Sequence, residues 1–357
     1  LVPLRESLSM VPQLVIGGAI RGLPRRKWVC VLSNIAQGAC VAGLAWVALS
    51  LNGAAAGWAI LGLVALFSLS RSLSSIGSKD VIGKTIPKRR RGQLSGWAAG
   101  VAGFLAIAAG FGLGRVQGDQ WDSAIIAGLL LLAAALWWLS AGAFAAVPEE
   151  PGETGGGRSL WQSIASLRLL RDDREFRRFV IARALLMCSA LSAPFYVALA
   201  QSGERAGMAT LGAFVVASGL ASLVSGPFWG RFADRSSRDV MTLAAWVTAG
   251  AGLLVFGVAS SAPGLLSSAW FLPAAYFILS IAHEGVRVGR KTYVVNLGTG
   301  NRRTDYVAIS NTVIGVLLLV VGSVGALTPW LGNAGVIALL AMMGLVGAVI
   351  SRSLRNA

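Results

Sequence analysis

The stretch GPFWGRFADRSSRD, Gly226 to Asp239, crowds Arg231, Asp234, Arg235, Arg238 and Asp239 between two nearly uncharged runs. One run leads in from Met208 and the other continues towards Ala259. Each is about twenty residues long, the length of a helix that crosses the hydrocarbon core of a bilayer. The stretch therefore reads as a short, charged connection between two membrane spans. Asp234 is an acid among bases. It can cap a short helix or pair with Arg235 or Arg238. A further partner for this cluster has to be sought elsewhere in the chain.

The whole chain follows the same pattern. Of its 357 residues, 55% are hydrophobic and only 13% are charged, about half the charged fraction of a soluble domain. Mean hydropathy is +0.69. Apolar runs fall at 1–20, 28–51, 56–78, 93–114, 123–147, 179–201, 208–230, 240–260, 266–288, 306–328 and 334–351. They are too long and unalternating for barrel strands, so the chain is predicted to be an all-α membrane protein. The connections at 21–27, 79–92, 148–178, 231–239, 289–305 and 352–357 hold 25 of the 31 Lys and Arg residues. By the positive-inside rule these are cytoplasmic, and so is the C-terminus. The net charge of +16 is explained by the same rule. Nucleic acid is not expected as a partner, because the bases lie between spans rather than on one basic domain. Cys30, Cys40 and Cys188 all fall inside apolar runs and the chain has one His. Neither a metal site nor a disulfide framework is indicated, and no cofactor is expected.

An internal repeat has an offset of 212 residues. It takes Gly18 to Gly230, Arg26 to Arg238 and Arg71 to His283. It takes Arg90 and Arg91 in PKRRRGQLSG to Arg302 and Arg303 in GNRRTDYVAIS. Repeats of this kind are typical of transporters. Shifted back by the offset, the 179–201 run falls before residue 1, so a first helix is expected to be missing from the chain. The repeat predicts an N-terminal bundle at 1–147, a cytoplasmic linker at 148–178 and a C-terminal six-helix bundle at 179–357. Within the linker, GETGGGRS (152–159) has phosphate-loop spacing, but no strand precedes it and the reading is rejected. After it, Leu160, Trp161, Ile164 and Leu167 share one helical face near Arg158, Arg168 and Arg171. That pattern predicts an amphipathic helix on the inner membrane surface.

With these residues in view, the chain resembles the major facilitator superfamily. Gly230, Asp234, Arg235 and Arg238 match that family's loop signature; Ser237 and Asp239 depart from it. The first copy, GAIRGLPRRK, keeps Gly18, Arg26 and Lys27 but has Gly22 where the acid belongs. SRSLSSIG resembles the fourth-helix motif, with Arg71 as its arginine. The resemblance implies two six-helix bundles. It also implies a cytoplasmic gate in which the partner of Asp234 lies at the inner end of the 306–328 helix, near Arg302, Arg303 or Asp305. Gly100 to Gly114 is glycine-rich without the Gly-Pro pair of many exporters in the family, and reads as a packing surface.

Ionisable groups within spans are costly and usually face a cavity or a partner. They are Arg5, Glu6, Arg71, Arg183, His283, Glu284 and Arg287. By helical rise, Arg71 is about 12 Å from Lys79, and Glu6 about 22 Å from Arg21, too far to reach the surface comfortably. The resemblance places Arg71, Arg183 and the His283–Glu284 pair on helices that line the central cavity. An excess of bases favours an anionic or zwitterionic solute. Glu284, three residues from Arg287, is a candidate proton carrier, or else one half of a fixed salt bridge or a direct substrate ligand. These features lead to a monomeric secondary transporter of the bacterial inner membrane, with a small-molecule substrate, the lipid bilayer and protons as partners, and no enzymatic activity. The alternative is a non-transporting receptor or assembly scaffold with the same fold.

Overall fold

The computed structural model describes residues 9–20, 22–114, 123–152, 154, 160–202 and 208–356. Arg5, Glu6 and most of GETGGGRS lie outside the described residues. The regular elements among the described residues are all helical. They are α1 (Gln13–Ile20), α2 (Lys27–Ser50), α3 (Gly53–Thr85), α4 (Arg91–Gly114), α5 (Ser123–Ala146), α6 (Leu160–Ala165), α7 (Leu169–Asp172), α8 (Arg174–Leu185), α9 (Cys188–Gln201), α10 (Met208–Ser261), α11 (Phe271–Leu297), α12 (Gly300–Val321) and α13 (Thr328–Arg352). Six helical stretches among the described residues are long and apolar enough to cross a membrane: Lys27–Ser50, Gly53–Thr85, Ser123–Ala146, Arg174–Gln201, Gly212–Ser261 and Gly300–Arg352.

Several helices outrun their apolar segments. The connections predicted at 79–92 and 289–305 are largely helical, because hydropathy marks only the part of a helix that lipid surrounds. Helix α3 continues through Lys79 and Lys84 and stops where Ile86, before Pro87, turns extended (φ −109°, ψ 125°). The clash of a proline ring with the preceding residue accounts for the stop. Helix α11 ends at Leu297, 212 residues after Thr85, so the repeat offset holds at these helix ends too. The connection predicted at 231–239 shrinks to one non-helical residue, Ser236 (φ −157°, ψ 96°), inside α10.

Packing follows the logic of lipid rather than water. Helix α5 buries Ala127, Ala134 and Ala141, seven residues apart, while Leu131, Leu132 and Leu139 are exposed. In lipid a leucine gains little by leaving the surface. Small residues instead let helices approach and maximise van der Waals contact.

Contacts divide the chain into two compact units that interleave in sequence. The first is Leu1–Ile86, Val116–Asp172 and Gly298–Leu319; the second is Pro87–Arg115, Asp173–Leu297 and Val320–Ala357. In the first unit α2 packs on α3 and α5, and α1 on α3 and α6. In the second, α10 packs on α4, α11 and α13. Thus α4, from the first half of the repeat, belongs to the second unit, and α12, from the second half, to the first.

Glycines carry the α4–α10 contact. A Cβ placed on Gly226 would lie 2.6 Å from the Gly96 carbonyl oxygen, and one on Gly230 2.6 Å from that of Gly92. One on Gly103 would lie 2.6 Å from the Gly219 carbonyl. The opposing atoms are backbone and cannot step aside. Gly226→Ala should therefore lose about 1–3 kcal/mol of stability through overpacking. Gly128→Ala, where no atom lies within 4 Å of the new Cβ, should be neutral. Thermal unfolding of both variants in detergent checks the contrast.

Candidate functional site

In the first unit, the basic end of the helices converges on Arg26. Its guanidinium is 1% exposed. Nη1 lies 3.0 Å from Asp80 Oδ2 on α3 and donates to Thr304 Oγ1 at 2.6 Å, while Nη2 donates to Asn301 Oδ1 at 2.6 Å. Lys84 Nζ bridges Asp80 (3.1 Å) and Glu149 (2.9 Å). Arg303, whose Nη1 is 3.7 Å from Asp80 Oδ1, completes the group. The first loop copy lacks its acid at Gly22, and Asp80 on α3 provides a carboxylate for Arg26 instead. Asp80 is the one acid in the basic segment 79–92, a signal the sequence offered. Burial makes the cluster demanding, because a desolvated charge is tolerated only when its partners are in place.

Glu149, just past α5, anchors the start of the linker. Its carboxylate accepts from the backbone N–H of Arg26 (3.1 Å) and of Lys27 (2.7 Å). Lys27 Nζ donates to the carbonyls of Ala145 and Val147, and the Gly152 N–H to that of Pro24. Burial by itself raises the Glu149 pKa, but the hydrogen bonds from Lys84, Lys27 and Arg26 outweigh it and hold the carboxyl below its usual range. A carboxylate with a depressed folded pKa stabilises the native state above its unfolded pKa, about 4.3, and loses that contribution as pH falls through the folded value. Glu149→Gln should therefore melt below the parent at neutral pH, and the two curves should converge under acid conditions. Melting temperature measured across pH tests this.

In the second unit the equivalent place is built differently. Asp234 accepts from the backbone N–H groups of Gly92 (2.6 Å) and Gln93 (2.8 Å) at the start of α4. Arg302, Arg303 and Asp305, among which a charged partner was expected, belong to the first unit. The partner is a helix N-terminus, whose unsatisfied amides and dipole attract an anion. Arg238 pairs with Asp239 at 2.8 Å rather than with Asp234. Arg235 and Arg302 are exposed. Gly230 belongs to the α4–α10 contact, and Gly18 lines a narrow crevice with Gly17, Ser163, Ser166 and Asp305.

Further along the second unit, α9, α10 and α11 line a partly open cavity of about 260 Å³. Tyr276, Ser280, His283, Glu284 and Arg287 come from one side of α11, Ser218 and Ser222 from α10, and Ser189 from α9. Glu284 is 2% exposed, and its Oε1 is 2.5 Å from Arg287 Nη2. His283 Nδ1 shares a 3.1 Å hydrogen bond with Ser189 Oγ. The cavity thus offers hydroxyls, one imidazole and one internally balanced ion pair within otherwise apolar helices.

Residues 8–244 match the sequence profile of the Major Facilitator Superfamily. The chain belongs to this superfamily. Facilitator structures share its fold. The human organic anion transporter TETRAN superposes with a TM-score of 0.73 at 15% identity, over 98% of this chain and 83% of that one. The proton:xylose symporter XylE gives 0.71 at 15% identity, over 96% and 83%. The E. coli fucose:proton symporter FucP gives 0.69 at 13% identity, over 100% and 97%. No curated protein sequence matches significantly. Family and fold make this facilitator a multi-pass membrane protein of a transporter class rather than an enzyme class.

Of the in-span charges expected to meet in this facilitator, His283, Glu284 and Arg287 share the cavity. Arg183 on α8 is 6% exposed and does not line it. Arg71 is half-buried on α3, in the first unit. The cavity serines escaped sequence reading, since serine is common in the spans of this chain. Their one signal is the i, i+4 spacing of Ser218 and Ser222 on an apolar run.

Proposed function

We propose that the chain is a secondary active transporter. It moves a small zwitterionic or anionic solute across the bacterial inner membrane by alternating access, with proton coupling and with its C-terminus in the cytoplasm. The observation that supports this reading is the Glu284–Arg287 pair in a hydroxyl-lined cavity of about 260 Å³ among apolar helices. Charges held there are costly, and a scaffold has little use for them. The lining contains one base, one acid and one imidazole, so the excess of in-span bases is not gathered in it. That balance favours a zwitterion over a simple anion. A substrate carboxylate competes with Glu284 for Arg287, and protonation of Glu284 frees the arginine. Proton and substrate are thereby linked through a single guanidinium. We assign cytoplasmic gating roles to the Arg26–Asp80 cluster in the first unit and, separately, to the grip of Asp234 on α4 in the second.

Proteoliposomes test the proposal, after a thermal-shift screen of metabolites identifies a ligand. A ligand at a hundred times its Kd stabilises the folded protein by about 2.7 kcal/mol. If Glu284 carries the proton, Glu284→Gln should abolish gradient-driven accumulation while substrate exchange without a gradient persists. Loss of both assigns a binding or structural role, and retained accumulation removes the coupling role.

The gate assignment has its own test. Asp234→Asn replaces one carboxylate oxygen, which accepts from an α4 amide, with a donor. Transport should fall while expression and folding survive, with a lowered melting temperature from the lost amide contact. Unchanged flux would remove Asp234 from the gate.

A further inference from the structure

The short linker helix α6 is inside out. Ser163 is 1% exposed. With Ser166 it faces the crevice formed by Gly17, Gly18 and Asp305. The opposite face carries Trp161 (76% exposed) and Ile164 (41% exposed). Helical turns continue through Ser166–Arg168 and α7 to Asp172. Because Ser166–Arg168 is a 3-10 segment, Arg168 comes round to the side of Trp161, and it is exposed. A surface helix in water turns its serines out and its tryptophan in. This one does the reverse.

The place of the helix in the chain bears on what covers that face. Helix α5 leaves the apolar phase near Ala146, and the start of the linker is tied back to the helix ends by Glu149. The chain returns to an apolar segment at α8 and α9, within Arg174–Gln201. Between these points it remains within reach of the surface into which both helices insert. Trp belongs at the level of lipid headgroups, where one end of the ring is apolar and the other wet. An arginine beside it completes an interfacial pattern selective for anionic lipid.

We propose that the Trp161–Ile164–Arg168 face of the linker is a docking surface for the anionic phospholipid headgroups of the inner leaflet. The assignment to the inner leaflet rests on the orientation proposed above. Through Ser163 and Ser166 the docked helix rests on α1, whose Gly17 lies against Ala308 of α12. Helix α12 also carries Asn301, Arg303 and Thr304 of the Arg26 cluster, so the docked linker rests beside an element that holds that cluster.

The test measures no flux, so its result is independent of the transport reading. The three natural cysteines are buried, which allows a bimane label on Trp161→Cys in the full chain. Labelled protein is reconstituted in vesicles of phosphatidylcholine alone or mixed with phosphatidylglycerol. Quenching is compared between a nitroxide placed shallowly on the lipid acyl chain and iodide in the water. The proposal expects strong nitroxide quenching and weak iodide quenching, with the contrast larger when phosphatidylglycerol is present. Arg168→Gln in the same background should shift the docked-to-undocked ratio about fivefold towards water in the anionic vesicles. It should change little in phosphatidylcholine alone. Dominant iodide quenching overturns the proposal. Protection from both quenchers also overturns it, because a protein surface then covers the face. Equal behaviour of Arg168→Gln and its parent in both vesicles overturns the assignment to anionic headgroups.

Discussion

Backbone-to-backbone approach between helices is the constraint on which the rest of this structure depends. Inside lipid, burying a leucine gains almost nothing over leaving it among acyl chains, so helices associate by fitting closely. Helix α4 does this against α10 by giving up side chains altogether: Gly92, Gly96 and Gly103 meet Gly230, Gly226 and Gly219. Asp234 reaches the first amides of α4 because Gly230, one helical turn before it, leaves no side chain between the two backbones. The electrostatic contact at the end of the helix follows from the steric one along its length.

The two basic ends, related by the 212-residue offset, are built from different chemistry. In the second unit a carboxylate sits on a helix N-terminus, and Arg238 turns to its neighbour Asp239. In the first unit the corresponding acid is Gly22, and Arg26 itself reaches the start of α12 at Asn301 and Thr304. One end is held by an anion on a dipole and the other by a cation among side-chain oxygens. Asp80 and Glu149 balance that cation. The second depends on a full set of buried partners, whereas the first needs a single side chain.

The fold was largely legible in the sequence because lipid imposes a coarse rule. A backbone in hydrocarbon must be helical, and hydropathy finds the helices. The glycines of 100–114 and the in-span cluster His283, Glu284 and Arg287 were legible for the same reason, since each is an exception that lipid makes expensive. Helix ends were less legible, because α3 and α11 continue into water where hydropathy carries no signal. Long-range partners were least so. The offset of 212 relates Arg26 to Arg238 but does not say which helix end each copy meets. The backbone amides of Gly92 and Gln93, which Asp234 meets, carry no side-chain signal that a sequence reading could find. Asp80 and Glu149 carry no periodicity. Their roles come from tertiary neighbours alone.

Ser236 has a mechanical consequence. It is the single non-helical residue between two long apolar helices. A loop of several residues absorbs displacement by changing many soft torsions. Here the backbone has two, φ and ψ of one residue, and Ser237 just beyond it is fully buried. The joint has no slack. Asp234 lies two residues before it and the Arg238–Asp239 pair two and three residues after. A rotation of either helix therefore reaches that carboxylate as a rigid crank reaches its pin, with nothing in between to dissipate it.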